Sequence, residues 1–171
     1  DAKKVSLFRN LCVYSVPGAP LPPRLRCPAL VVSGEGTRVT LRRLAIEALP
    51  EPQEALVDVR KGAFCELVDC HLRGGGLRLA DGASARLLRT SVDSAPGPGI
   101  DGSGFSELTM EECHVTSCLG NGVCLGKCRR VDASDCTFSD NGMNGAVVGG
   151  AWGEWRFRGC TFAGNAQYGV W

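Results

Sequence analysis

Apolar and polar residues alternate over short stretches of this chain, and the same alternation returns six times. In each copy two apolar positions flank one polar position, a bend of two residues follows, and a second pair of inward positions lies beyond it. The copies begin at intervals of 26, 20, 23, 23 and 24 residues, at Val39, Cys65, Ala85, Leu108, Val131 and Trp155. A period of two is typical of a strand with one buried and one exposed face. Each copy therefore predicts short strands that turn one column of side chains inward.

The inward columns continue past the bend, and another short strand closes each copy. The third column is Leu44, Cys70, Thr90, Cys113, Cys136 and Cys160, and the closing strands are residues 57–59, 77–79, 100–102, 123–125 and 146–148. A weaker copy occupies residues 6–13, with residues 30–32 as its closing strand. A unit of about 23 residues cannot bury its apolar face alone, whereas stacking at ~4.8 Å forms a continuous core.

This pattern predicts an all-β solenoid, a parallel β-helix of about seven coils, in which residues 1–171 form a single domain. A Pro-rich loop at residues 14–28 is predicted as an insertion in the first coil. Leucine-rich repeats are disfavoured because Cys, Ala, Val and Trp all occupy the strand positions. Propeller blades need 40 or more residues, and no six-residue period is present.

Two segments near the chain end share a more specific sequence motif. "SDCTFSDNGMNGAVVGG" (134–150) is followed by "FRGCTFAGNAQYGVW" (157–171), and both contain Cys-Thr-Phe, an Asn five residues after the Cys and a Gly nine residues after it. This motif resembles the repeats of the right-handed parallel β-helix (pectin-lyase-like) superfamily. That superfamily includes pectate lyases, polygalacturonases and repeats of some F-box ubiquitin-ligase subunits. The resemblance covers about residues 30–171. It implies a right-handed helix, whereas function depends on the individual site.

Charge and hydropathy exclude several partners. The 19 Lys and Arg residues nearly balance the 18 Asp and Glu residues, so no basic field predicts nucleic-acid binding. No apolar run approaches the roughly 18 residues of a membrane span, which predicts a soluble protein. Because the chain begins with Asp1 rather than Met, we expect a processed organellar or secreted protein, or an excised piece.

The ten cysteines are interpreted from their positions. Cys70, Cys113, Cys136 and Cys160 share one inward column and are expected to be free core thiols. Cys12 and Cys27 bracket the Pro-rich loop, so a disulfide between them and two free thiols are both open interpretations. Cys118, Cys124 and Cys128 lack the spacing of a zinc site, and we predict no metal and no cofactor.

Two groups of polar residues are candidates for chemistry. Asp58, Arg78 and Asp101 form an outward column on successive closing strands, where the superfamily resemblance implies acid/base work on a sugar chain. Stacked opposite charges on a wet face explain the same column without catalysis, and we favour that interpretation. His71, Ser91 and His114 form a second outward column, in which a hydroxyl beside an imidazole raises the hypothesis of a nucleophile against that of an ordinary surface.

The chain end carries the functional prediction. The terminal coil holds Trp155, Phe157, Tyr168, Val170 and Trp171, a strand edge and an apolar patch that a partner is expected to cover. We therefore predict a non-catalytic scaffold or interaction subunit, an accessory component of a larger assembly with a protein partner on its C-terminal coil. The alternative is a carbohydrate-binding or polysaccharide-cleaving module with a glycan ligand. A third interpretation is a piece of a larger multidomain protein.

Overall fold

The computed structural model describes residues 5–7, 10–14, 22–49, 55–149 and 153–171. Every regular element in these ranges is a β-strand, which confirms the prediction of an all-β chain. Within the same ranges no helix is long and apolar enough to cross a lipid bilayer.

The strands form three parallel sheets of seven strands each. Sheet 1 contains β1 (Val5–Leu7), β4 (Leu30–Ser33), β7 (Ala55–Arg60), β10 (Gly76–Leu79), β13 (Ile100–Gly102), β16 (Val123–Leu125) and β19 (Ala146–Val148). Sheet 2 contains β2 (Leu11–Tyr14), β5 (Arg38–Arg42), β8 (Phe64–Val68), β11 (Ser84–Leu88), β14 (Glu107–Glu111), β17 (Arg130–Ser134) and β20 (Glu154–Arg158). Sheet 3 contains β3 (Arg24–Cys27), β6 (Ala45–Ala48), β9 (His71–Arg73), β12 (Ser91–Asp93), β15 (His114–Thr116), β18 (Thr137–Ser139) and β21 (Thr161–Ala163).

Each coil contributes one strand to every sheet, so the chain winds as a β-solenoid of about six full turns with a period of about 23 residues. The register matches the predicted columns. Ala85 pairs with Cys65 on one side and Leu108 on the other, and Val92 pairs with Leu72 and Val115. These side chains are buried in one continuous core between the three sheets. The repeat predicted from sequence is therefore the repeat of the structure.

The first coil differs from its prediction in two ways. Leu11 pairs with Val39 and Val13 with Leu41, so the copy predicted at residues 6–13 was placed in the wrong register. Arg24–Cys27 forms β3 and pairs with β6, so the predicted loop at residues 14–28 contains a strand. Exposed arginines flank Leu25 on this strand and hide its alternation, because a terminal coil packs on one side only. Residues 15–21 of the predicted loop lie outside the described residues.

The predicted thiol column is largely confirmed. Cys70, Cys113 and Cys136 are buried, whereas Cys160 on the last coil is half-buried. Burial raises the pKa of the Cys70 thiol, and the pKa of Cys136 is raised by its hydrogen bond to Cys113 and by burial. Because the thiolate is the reacting form, burial and a raised pKa both protect Cys70 and Cys136. The hydrogen bond with Cys136 lowers the pKa of Cys113, so burial alone protects that thiol.

Alkylation of the native protein should therefore discriminate among the cysteines. We expect Cys12, which is exposed, to react first, and Cys70, Cys113 and Cys136 to react only after unfolding. The half-buried Cys160 should react at an intermediate rate, since no coil covers it within the described residues. Peptide mapping after timed iodoacetamide treatment measures this order. Rapid native labelling of Cys113 or Cys136 would contradict the strand register.

Candidate functional site

The outward column on sheet 1 changes character along the solenoid. Asp58 pairs with Arg78, Arg78 with Asp101, Asp101 with Cys124, and Cys124 with Val147. The predicted alignment of the three charged residues is thus present, but the Asp58 side chain is nearly buried and lies 4.0 Å from the Arg60 guanidinium. The charged half of the column is followed by an apolar half, so it does not continue as a row of carboxylates.

Two ladders of side-chain amides fix the corner between sheets 3 and 1 in the last coils. In the first, Asn141 donates from Nδ2 to Asn165 Oδ1 at 2.9 Å, and Asn165 donates to the Phe138 carbonyl at 2.9 Å. These are the asparagines that follow each Cys-Thr-Phe, and stacking on equivalent neighbours explains their recurrence. Their spacing is visible in the sequence, but the hydrogen bonds between neighbouring coils are not.

The second ladder stands beside the first. The Nδ2 group of Asn144 donates to Asn121 Oδ1 at 3.0 Å and to Gln167 Oε1 at 3.2 Å. Its own Oδ1 accepts the backbone N–H of Tyr168 at 3.1 Å. Asn144 is buried, and a buried amide with satisfied partners rigidifies its surroundings. The backbone that carries Tyr168 is therefore held in place by the coil before it.

A cleft of about 270 Å³ opens outward at this corner. We call it the corner cleft, and its lining residues are Asn121, Met143, Asn144, Val147, Gln167, Tyr168 and Trp171. Trp171 donates its backbone N–H to the Ala146 carbonyl at 2.9 Å, which aligns it with Val147 in the outward column of sheet 1. All seven side chains are uncharged, so the cleft combines aromatic and aliphatic surface with amide groups.

The five residues predicted to face a partner divide into two groups. Trp155, Phe157 and Val170 continue inward columns, and they are only partly covered because no coil follows them in the structure. Phe157 packs against Phe162, with ring centroids 5.7 Å apart. Tyr168 and Trp171, in contrast, line the outward corner cleft and are 60% and 70% exposed. Only the second group belongs to the side wall of the solenoid.

The second predicted constellation is partly assembled on sheet 3. His71 pairs with Ser91 and Ser91 with His114 in register, and the His71 Nδ1 atom is hydrogen-bonded to the Ser91 hydroxyl. Asp93 was not among the predicted residues, yet its Oδ2 atom lies 2.8 Å from His71 Nε2. Asp93 stands two residues after Ser91 and thus on the same face, which was the available signal.

The other candidate residues either lie on different strands or form ion pairs with one another. Cys12 is exposed on β2 and Cys27 is buried on β3, and both thiols are free in the structure. The described residues contain no group of three or more His, Cys, Asp or Glu side chains that could hold a metal ion. On sheet 2 the outward charges pair between coils, as where Arg158 and Asp132 approach to 2.7 Å and Arg42 and Glu66 to 3.2 Å.

Comparison with known proteins agrees with this geometry. The family model described as "Right handed beta helix region" matches residues 31–162, which is most of the chain. No curated protein and no solved structure matches it. With three parallel sheets, in-register inward columns and a family match over most of its length, the chain belongs to the right-handed β-helix family.

Proposed function

We propose that this protein is a binding scaffold, an accessory component of a larger assembly, which docks a protein partner at the corner cleft. The observation that carries the proposal is the concentration of exposed apolar side chains there. Met143, Tyr168 and Trp171 are all exposed large apolar residues, and all three line this one cleft. Contiguous apolar patches on a soluble surface are typical of interaction sites.

The chemistry of the cleft favours a protein segment with neutral side chains. None of its lining side chains carries a charge, so a charged ligand would be desolvated there without an opposite charge to compensate. Tyr and Trp are the residue types that most often dominate the energy of protein interfaces. The amide ladders hold the cleft in one conformation, and a preorganised surface loses less entropy on binding.

The charged column on sheet 1 is poorly placed to cleave a polysaccharide, which favours a binding role for this protein. A carboxylate that acts on a sugar chain must reach the glycosidic bond. Asp58 is nearly buried, with Arg60 beside it and Arg78 next to it in the ladder. We therefore assign the Asp58, Arg78 and Asp101 column to stacking of opposite charges on the outer face of sheet 1.

A second candidate function is carbohydrate binding at the same cleft. The aromatic rings of Tyr168 and Trp171 stand beside the amides of Asn121 and Gln167. An apolar surface with a few polar groups that fix orientation is the usual composition of a small-molecule site. The two candidates differ in the ligand and share the lining residues, so one set of variants distinguishes them.

Replacing Tyr168 with alanine should weaken partner binding about 30-fold, because an interface anchor contributes about 2 kcal/mol. The Tyr14→Ala variant is the matched control, since Tyr14 is also an exposed tyrosine but lies on the first coil. Proteins that the wild-type chain captures from source-cell extract are quantified for both variants, and dependent partners are then purified and titrated.

Equal loss or equal retention of every captured protein in the two variants would contradict the proposed docking site. If no captured protein depends on Tyr168 but a panel of soluble glycans contains a ligand that Tyr168→Ala loses, carbohydrate binding is the correct function. Both variants should unfold at the wild-type temperature, because each removes an exposed side chain.

A further inference from the structure

Three polar side chains on sheet 3 form a connected hydrogen-bonded chain. His71 on β9 and Ser91 on β12 are opposite each other in the ladder, and Asp93 follows Ser91 on the same face. His71 Nε2 lies 2.8 Å from Asp93 Oδ2, and His71 Nδ1 is bonded to the Ser91 hydroxyl. The order is therefore carboxylate, imidazole, hydroxyl.

The two contacts of His71 determine where its proton lies. An ionised carboxylate can only accept a hydrogen bond, so Nε2 carries the hydrogen and donates it to Asp93. In the neutral ring Nδ1 is then the acceptor, and the Ser91 hydroxyl donates to it. The Arg73 guanidinium lies 3.7 Å from the other oxygen of Asp93 and holds the carboxylate from its far side.

We propose that Ser91 is a nucleophile, with His71 as its general base and Asp93 as the residue that positions His71, and that this site takes acyl groups from uncharged esters. A hydroxyl, a base in hydrogen-bond reach and a third group that orients the base are the recognised parts of an activated serine. This site lies on sheet 3 and is independent of the binding function assigned to the corner cleft.

The reaction is a double acyl transfer. Ser91 Oγ attacks the ester carbonyl carbon while its proton moves to His71 Nδ1, and the tetrahedral intermediate then expels the alcohol oxygen, which takes that proton. Water then attacks the carbonyl carbon of the acyl-serine and gives a proton to His71 Nδ1. The second tetrahedral intermediate expels Ser91 Oγ, which takes that proton back, and the acid is released. An ester and water thus become an acid and an alcohol, and no oxidant or metal ion takes part.

The surroundings of Ser91 provide room for a small substrate. A depression of about 460 Å³ adjoins it, lined by Arg89, Thr90, Ser91, Glu112, His114 and Asp135. The Arg89 guanidinium is already bound to Asp69, with Nε to Oδ1 at 2.6 Å. The carboxylates of Glu112 and Asp135 therefore give the depression a negative charge. An anionic ester is therefore disfavoured relative to an uncharged one.

His114 completes the arrangement on the other side of Ser91. It follows Ser91 in the ladder and lines the same depression, and its imidazole has no hydrogen-bond partner among the described residues. A ring N–H in this place is available to donate to the oxygen that becomes negative in the tetrahedral intermediate. Its removal should slow acylation less than removal of His71, because a donor is lost while the base remains.

The test uses the full chain carrying Cys12→Ser, since the exposed Cys12 thiol would itself react with acylating reagents. A fluorophosphonate serine probe and p-nitrophenyl acetate serve as electrophiles, and peptide mapping identifies the modified residue. We expect an adduct on Ser91 that Ser91→Ala abolishes. Ser139→Ala is the matched control, because Ser139 is also a half-buried serine on a strand of sheet 3.

The variants of the partners separate a catalytic role from a structural one. His71→Ala should slow modification of Ser91 about 100-fold, as expected for loss of a general base, and added imidazole should restore part of the rate. Asp93→Asn should also slow it while the midpoint of thermal unfolding stays unchanged. If Ser91 reacts no faster than Ser139, or if His71→Ala leaves its rate unaltered, the three residues form only a surface hydrogen-bond chain and the proposal is wrong.

Discussion

Replacing Gly99 with alanine should destabilise the protein by about 3 kcal/mol, at the upper end of what overpacking costs. A Cβ atom at Gly99 would lie 2.8 Å from the Gly122 carbonyl oxygen and 2.9 Å from Cys118 Sγ. The Gly122 carbonyl cannot retreat, because it accepts the Ile100 N–H at 2.9 Å in the ladder between coils. Relief would require the coils to separate, and every adjacent contact would weaken.

The matched control lies two residues earlier. A Cβ atom at Gly97 would meet no heavy atom within 4 Å, so Gly97→Ala should leave the unfolding free energy within about 1 kcal/mol of the wild type. Urea titration followed by circular dichroism measures both variants. Equal stability of the two variants would show that the coils are not packed as closely at this corner as the structure has them.

Truncating Leu87 to alanine should cost about 2–5 kcal/mol, as for other buried leucines. Leu87 lies on β11 with no exposed surface, in the middle of the core and between Leu67 and Met110. In a solenoid each coil is stabilised chiefly by its two neighbours, so a cavity here weakens both interfaces at once.

Leu88 provides the control on the same strand. It is only half-buried and faces outward, so Leu88→Ala should cost about 1 kcal/mol or less. Both free energies follow from chemical denaturation of purified variants with unchanged native circular dichroism. A larger loss for Leu88 than for Leu87 would mean that β11 presents the opposite face to the core.

Much of the fold could be predicted because, in a stacked repeat, equivalent positions of successive coils carry similar residues. Val92, Val115 and Phe138 occupy the same place in successive coils, and the structure pairs them directly. The prediction failed where that redundancy ends. On the first coil, Leu25 is flanked by arginines and packs against one neighbouring coil only, so its strand left a weak signal.

The candidate sites were only partly predictable, because they depend on distances between side chains from different coils. The sequence placed Ser91 beside His71, but the contact from His71 to Asp93 needs a diagonal approach across two strands that spacing alone does not specify. Likewise, the prediction treated Trp155 and Trp171 as one surface. The structure divides them, since Trp155 continues an inward column and Trp171 an outward one.

The sequence by itself determined the repeat and its inward columns, because these follow from local alternation and period. Only the tertiary structure decided what lies next to each of those positions. Gly97 and Gly99 are the same residue type two positions apart. Only at Gly99 would an added Cβ atom meet the carbonyl oxygen of the next coil. The sequence identifies Asn144 only as a polar residue, whereas the structure shows that neighbouring coils provide the acceptors for its amide. The physical reason is that packing and hydrogen bonding between coils depend on distances of a few ångströms, which local sequence pattern does not contain.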